Sequence, residues 1–173
     1  MRIREAKGND SAAIARVHID SWRTTYREMV STDHLASLSY EDREQRWQEF
    51  FSATDVLQFA YVAEYDEQLV VGFASGGSNR DIGSVYEGEL YAIYLLEEYQ
   101  HKGIGRELTR AMVARLLHEG MSSMQVWVLA DNPGRRFYES IGGHRLKEQE
   151  IVIGGTTLIE VAYGWSDLSA LVK

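Results

Sequence analysis

The segment LLEEYQHKGIGRELTRAMVARLLHEG, residues 95–120, joins an apolar run to a helical pattern through Gln100-His101-Lys102-Gly103-Ile104-Gly105. Beyond the junction, Ile104, Leu108, Met112 and Leu116 recur every four residues, which predicts a helix from Gly103 to Glu119. Before it, GELYAIYLL at 88–96 reads as a strand. A helix that starts directly after a strand presents unpaired N–H groups and a partial positive charge, and glycine lets an anion approach that backbone closely. The junction therefore reads as a phosphate cradle, with a tight turn that holds no ligand as the alternative reading. Gly103 and Gly105 are its points of close approach, the N–H groups of Lys102, Ile104 and Arg106 its donors, and Lys102 and Arg106 add charge. The field of a helix end contributes only ~0.3–1 kcal/mol, so several N–H hydrogen bonds must supply most of the grip. Two nucleotide-binding signatures fail here. A Walker motif requires Lys and then Ser or Thr where Arg106 and Glu107 stand. A Rossmann fingerprint requires a third glycine where Leu108 stands, and it belongs in the first strand–helix unit.

Outward from this segment the pattern stays ordered. Toward the N-terminus, LVVGFASGG (69–77) and LQFAYVAEY (57–65) are β-rich and predict a hairpin turning at Asp66-Glu67-Gln68. Helical patterns precede them at about 40–51, with Trp47, Phe50 and Phe51 apolar, from near Ser31 or Thr32, and from a cap at Asp10 or Ser11. The face of that first helix includes Ile14, Val17, Ser21 and Trp22, and Arg2 to Glu5 reads as a short strand before it. Toward the C-terminus, MQVWVL (124–129) is a strand and GRRFYESI (134–141) a short helix ended by Gly142 and Gly143. Closing strands follow at 144–153 and 156–165. Hairpins first and strand–helix alternation later predict an α+β fold, with a mixed central sheet of about six to seven strands flanked by helices. With one proline and no linker or repeat in 173 residues, one domain over 1–173 is expected.

Composition narrows the function classes. The absence of cysteine excludes a disulfide framework and a thiol nucleophile, and five histidines without ligand spacing speak against a metal. A net charge of −8 argues against nucleic acid as a partner. No apolar run approaches ~18 residues, so a cytoplasmic protein without a membrane span is expected. Ser75 in GFASGG lacks the glycine two residues before it that a hydrolase elbow requires.

The motif Gln100-x-x-Gly103-x-Gly105 resembles the Q/R-x-x-G-x-G/A signature of the GCN5-related N-acetyltransferases (GNAT). The resemblance extends upstream through GELYAIYLLEEYQ and downstream into VLADNPGRRFYESIGGHR, and the N-terminal DSWRTTYREM and LSYEDREQRW look like a bacterial subgroup, so nearly the whole chain is covered. Glu97 departs from a common proline and Leu95 from a common valine. The resemblance implies the GNAT fold and transfer of an acyl group from acetyl-CoA to a primary amine, a small molecule or a peptide. It places the pyrophosphate on Gln100, His101, Lys102, Gly103, Ile104, Gly105 and Arg106, and the pantetheine arm along the backbone of Ile93, Tyr94 and Leu95, in a bulged strand that ends near Leu95, and beside Asn132. Asn132 also reads as a cap for the helix after Pro133.

The chemistry needs a base for the ammonium and an acid for the leaving thiolate. The resemblance gives Glu89 the first role and Tyr138, six residues beyond Asn132, the second. Regular alternation would put Glu89, Tyr91 and Ile93 on one strand face. Trp22, Tyr26 and Trp47 fall on the first helices, where the family binds its acceptor, although Trp22 and Trp47 read first as helix-face core, and Tyr91 is a further candidate to line the acceptor cleft. A second function class is a non-catalytic acyl-CoA sensor or partner-binding module, which would need the cradle but neither Glu89 nor Tyr138. The closing strands, near the chain end, also offer an edge for a homodimer.

Overall fold

The computed structural model describes residues 1–66 and 69–172. Seven strands, β1 (Arg2–Glu5), β2 (Gln58–Tyr65), β3 (Leu69–Ser78), β4 (Gly88–Leu95), β5 (Met124–Leu129), β6 (His144–Ile153) and β7 (Thr156–Trp165), form one sheet in the order β1-β2-β3-β4-β5-β7-β6. All neighbours are antiparallel except β4 and β5. The helices are α1 (Ser11–Thr25), α2 (Thr32–Ser37), α3 (Tyr40–Ser52), α4 (Ile104–His118) and α5 (Arg135–Ser140). Of the turn expected at Asp66–Gln68, Glu67 and Gln68 lie outside the described residues, while the flanking strands pair as the hairpin requires.

The four-residue spacing of α4 has the expected result. Leu108, Met112 and Leu116 are fully buried against one face of the sheet, where Leu90, Val126 and Val161 meet them. Each such side chain contributes ~1.5–3 kcal/mol of burial, so α4 is anchored along its length. The other face is covered by α1 and α3 through Ile14, Val17, Trp47 and Phe73. At its far end Tyr26, Leu35 and Leu129 close a third cluster with Ile151 and Leu158. Ser31 and Ser39 cap α2 and α3 by accepting the N–H groups of His34 and Asp42. Asp10 does not cap α1: its carboxylate is taken by Arg4 and by the N–H of Lys7.

One irregularity governs the centre of the sheet. Opposite Ser75 and Gly76 the register skips Tyr91, so β4 carries a bulge there. A Cβ on Gly76 would lie 2.5 Å from the carbonyl oxygen of Glu89, so only glycine admits this approach. The bulge inverts the alternation beyond it. Leu90, Ile93 and Leu95 pack toward α4, while Ala92 and Tyr94 pack toward α1 and α3. The expectation that Glu89, Tyr91 and Ile93 share a face is thereby corrected, because the extra residue moves Ile93 to the opposite side.

Candidate active site

The two central strands pair over only three residue pairs, Gly88↔Met124, Glu89↔Gln125 and Leu90↔Val126. Past the bulge they part, leaving a wedge between Tyr91–Leu95 and Trp127–Leu129 that opens toward the N-terminus of α4. Leu96 donates its N–H to Val71 of β3, so by antiparallel alternation the backbone groups of Ile93 and Leu95 point into the wedge and those of Tyr94 point away from it. Of the three residues expected to offer backbone groups, Tyr94 therefore cannot. The Leu95 carbonyl already accepts from Ser21 Oγ and Gln100 Nε2. The backbone of Ile93 and the N–H of Leu95 are open to the wedge.

At the mouth of the wedge the chain makes a short turn, Glu97–Tyr99, and then enters α4. Gln100 reaches back to the strand end through that bond to Leu95. His101 and Gly103 have φ of 58° and 83°, the left-handed region, which glycine adopts freely and histidine only at a cost of about 1 kcal/mol. Lys102 lies over the ring of Tyr99 at 5.2 Å. Among the described residues the N–H groups of Lys102, Gly103, Ile104 and Gly105 have no partner in the chain, but that of Arg106 donates to the Gly103 carbonyl at 3.0 Å. The donor set expected from the sequence is corrected accordingly: Arg106 contributes its side chain, not its N–H. That side chain, with Arg110 and Ser140, lines a hollow of about 260 Å³ between α4 and α5.

Beyond the far wall of the wedge, polar groups converge from three elements. The hydroxyls of Tyr26, at the end of α1, and Tyr94 are 3.1 Å apart, and Asn132 Nδ2 approaches Tyr26 at 3.5 Å. The Asn132 oxygen accepts the Gly134 N–H at 2.8 Å, so it fixes the turn into α5 rather than capping the helix itself. Tyr138 on α5 is buried against Phe137, Tyr163 and Trp165, and its hydroxyl has no hydrogen-bond partner among the described residues. Burial, then the neighbouring Tyr94, raises the pKa of Tyr138, and burial is also the main cause for Tyr26 and Tyr94. All three hydroxyls therefore keep their protons at neutral pH. Trp22 stands edge-on to Tyr26 at 4.8 Å, with its Nε1 buried and unpartnered.

On the α1 side of the sheet the base of the wedge opens into a cleft of about 490 Å³, lined by Arg80, Glu89, Tyr91, Trp127, Ile151 and Glu160 among others. Glu89 is only 3% exposed. Its Oε2 accepts from the N–H of Arg80 (2.9 Å) and Arg80 Nε (3.2 Å), and its Oε1 from Arg80 Nη2 (2.6 Å). The Arg80 guanidinium lies over the Tyr91 ring at 3.8 Å, and Tyr91 in turn donates to the Ser78 carbonyl at 2.6 Å. Burial pushes the Tyr91 hydroxyl up to about 12. Arg80, Trp127 and Glu160 were not singled out by sequence reasoning. The one signal was Trp127's place in MQVWVL, on the strand that follows the cradle helix. Among the described residues no group of His, Asp or Glu side chains is placed to hold a metal ion, and no helix is long and apolar enough to cross a membrane.

A model of the acetyltransferase (GNAT) family matches residues 18–143. The chain is 46% identical over 169 residues to the uncharacterized N-acetyltransferase YuaI of Bacillus subtilis, across 98% of this chain and 95% of that protein. Among solved structures it is similar to the PaiA N-acetyltransferase of Thermoplasma acidophilum in complex with coenzyme A. The TM-score is 0.73 at 22% identity, over 92% of this chain and 96% of that one. YncA of Salmonella typhimurium, solved with its cofactor acetyl-CoA, is similar with a TM-score of 0.72 at 21% identity, over 98% and 94% of the two chains. At such identities these two likenesses speak for the fold alone.

Proposed function

The chain belongs to the GNAT family of acetyltransferases, and on that premise we propose that it moves an acetyl group from acetyl-CoA to a primary amine by direct attack in a ternary complex. The observation that carries the reading is the row of unpartnered N–H groups from Lys102 to Gly105 at the mouth of the wedge. An anionic pyrophosphate answers those donors and the helix-end field together. From there the pantetheine arm runs along the wedge beside the open backbone of Ile93, with Asn132 on the opposite wall, which brings the thioester toward Tyr91, Trp127 and Tyr138.

In this arrangement the ammonium of the acceptor first gives a proton to Glu89, directly or through a water. The free amine nitrogen attacks the thioester carbonyl carbon, forming the C–N bond and placing charge on the oxygen. Collapse breaks the C–S bond, and Tyr138 supplies a proton to the departing thiolate. The nitrogen sheds its second proton as the amide forms, which restores the tyrosine through solvent. Glu89 returns its proton to solvent, and the net change is ammonium plus acetyl-CoA to amide, CoA thiol and one proton. The sensor reading requires neither proton-transfer group; the buried carboxylate of Glu89 at the cleft and the Tyr138 hydroxyl, without a hydrogen-bond partner among the described residues, support catalysis.

The test is titration calorimetry with acetyl-CoA, joined to a thiol-release assay over a panel of amines. Saturable binding and amine-dependent thiol release are expected. Absence of acetyl-CoA binding at millimolar ligand would sink the proposal.

A further inference from the structure

Resting on the acetyltransferase reading, we propose that the acceptor is an amine that also carries a carboxylate, an amino-acid-type molecule, and that Arg80 is the residue that binds the carboxylate. A guanidinium carries five N–H donors in a fixed planar fork. Glu89 occupies the edge formed by Nε and Nη2. The second edge, formed by Nη1 and Nη2, has no partner among the described residues, and the Arg80 side chain is 58% exposed where it lines the cleft. A free guanidinium edge of this geometry matches the two oxygens of a carboxylate, and a bidentate pair of this kind is far more selective than a point charge.

The edge is also held in place. The N–H of Arg80 is tied to the same carboxylate as its side chain, the ring of Tyr91 supports the guanidinium face, and that ring is pinned by its hydroxyl to Ser78. Little side-chain freedom remains to be lost when a ligand arrives, which is the condition under which an exposed ion pair contributes affinity.

Charge around the cleft agrees. Asp81 is compensated by Lys147 at 2.8 Å and Glu89 by Arg80. Glu160, at the opposite end, has neutral Gln149 as its one partner among the described residues, at 2.7 Å. A carboxylate on the open guanidinium edge sets the ammonium of the same molecule, one carbon away, toward Glu89, the proposed base. A simple anion would meet the surplus negative charge of Glu160, and a simple cation would leave the open edge of Arg80 unused. The half-buried indole of Trp127, over which Lys147 Nζ lies at 5.4 Å, lines the cleft and offers apolar surface to the body of the acceptor.

The experiment compares each proteinogenic amino acid with its own carboxamide as acceptor, using acetyl-CoA and thiol release, on the native chain and on Arg80→Met and Arg80→Lys. At least one acid should exceed its amide in kcat/KM by ~10-fold or more. That ratio should fall to near unity in Arg80→Met and recover only in part in Arg80→Lys, which restores charge without the fork. Calorimetry with acetyl-CoA on the same preparations should give matching affinities. Acids and amides used equally by the native chain, no turnover with any acid, or a ratio that survives in Arg80→Met would each overturn the assignment. Should Arg80→Met fail to fold because Glu89 is left without its partner, the native ratio and Arg80→Lys decide. A native chain that binds acetyl-CoA but shows a flat ratio loses this proposal alone, whereas one that does not bind acetyl-CoA loses the acetyltransfer reading beneath it.

Discussion

Tyr138 combines a buried ring with a hydroxyl that has no hydrogen-bond partner among the described residues. A purely structural tyrosine would gain nothing from that hydroxyl, and phenylalanine would serve. Tyr138→Phe keeps the contacts with Phe137, Tyr163 and Trp165 and removes only the proton. The thermal midpoint and acetyl-CoA affinity should therefore be unchanged while kcat falls by ~10²–10⁴. Steady-state kinetics with chemistry shown to be rate-limiting tests this, and a change within twofold rejects the acid role. His18 leads to a different measurement. It is enclosed by the rings of Trp22, Trp47, Phe73 and Tyr94, its Nδ1 is buried without a partner, and burial lowers its pKa to about 3. The unfolded chain takes up this proton below ~6.5, whereas the folded chain does not until far lower. Stability is thus fully present above that value and declines as pH falls toward 3, by up to ~1.4 kcal/mol per unit. Between pH 7.5 and pH 5 the native chain should lose ~1–2 kcal/mol more than His18→Leu in urea titrations. Equal losses would mean that the imidazole is hydrated in the folded state.

At the scale of elements, the entry to α4 joins two requirements at neighbouring glycines. Gly103 is needed for its left-handed backbone, but Gly105 is helical, and a Cβ there would meet Leu95 and Phe137 at an ordinary 3.7 Å. The chain's own packing tolerates alanine at 105, and helix propensity favours it by up to ~1 kcal/mol. Gly105→Ala should therefore melt no lower than the parent yet bind acetyl-CoA at least ~10-fold more weakly, as seen by calorimetry, because the methyl group occupies phosphate space. Unchanged affinity would remove the pyrophosphate from this turn. The elements themselves were legible: the four-residue spacing of Leu108, Met112 and Leu116 located α4, and the β-rich runs located β5, β6 and β7 at their observed ends. What escaped was set by tertiary contact. The resemblance implied a bulge in the strand ending near Leu95, but its place at Tyr91 depends on Gly76 in the neighbouring strand. The clasp of Arg80 on Glu89 requires the intervening loop to fold back, and Tyr26 meets Tyr94 across 68 positions of sequence.

For the whole molecule, the sheet ends on β6, an edge strand of ten residues that is exposed along most of its length. Edges of this kind are templates for pairing with a second chain. An antiparallel two-fold between Glu148 and Gln149 would set Lys147 opposite Glu150 and Leu146 opposite Ile151, an arrangement without like-charge opposition. A homodimer is the expected state, with twice the monomer mass in light scattering at micromolar concentration. The monomer mass under those conditions would exclude it. Since Gln149 and Ile151 also line the acceptor cleft, a β6 contact would place the second copy beside that opening.

The wedge between β4 and β5 makes the sheet two leaves, β1–β4 and β5–β7, stitched by three residue pairs and backed by the core of α4. A leaf edge inside a protein is an unusual thing to leave unpaired, because its amides stay exchangeable with solvent. The acyl donor would act as a missing rung, giving the Ile93 amide a partner and tying one leaf to the other. Hydrogen exchange should register this as slowed deuteration in 91–95 and 127–132 together when acetyl-CoA is added, while the β1–β2 pair, remote from the seam, is unaffected. Before it undergoes any chemistry, the substrate would then serve as mortar, and the stiffness of the molecule would follow the acetyl-CoA concentration around it.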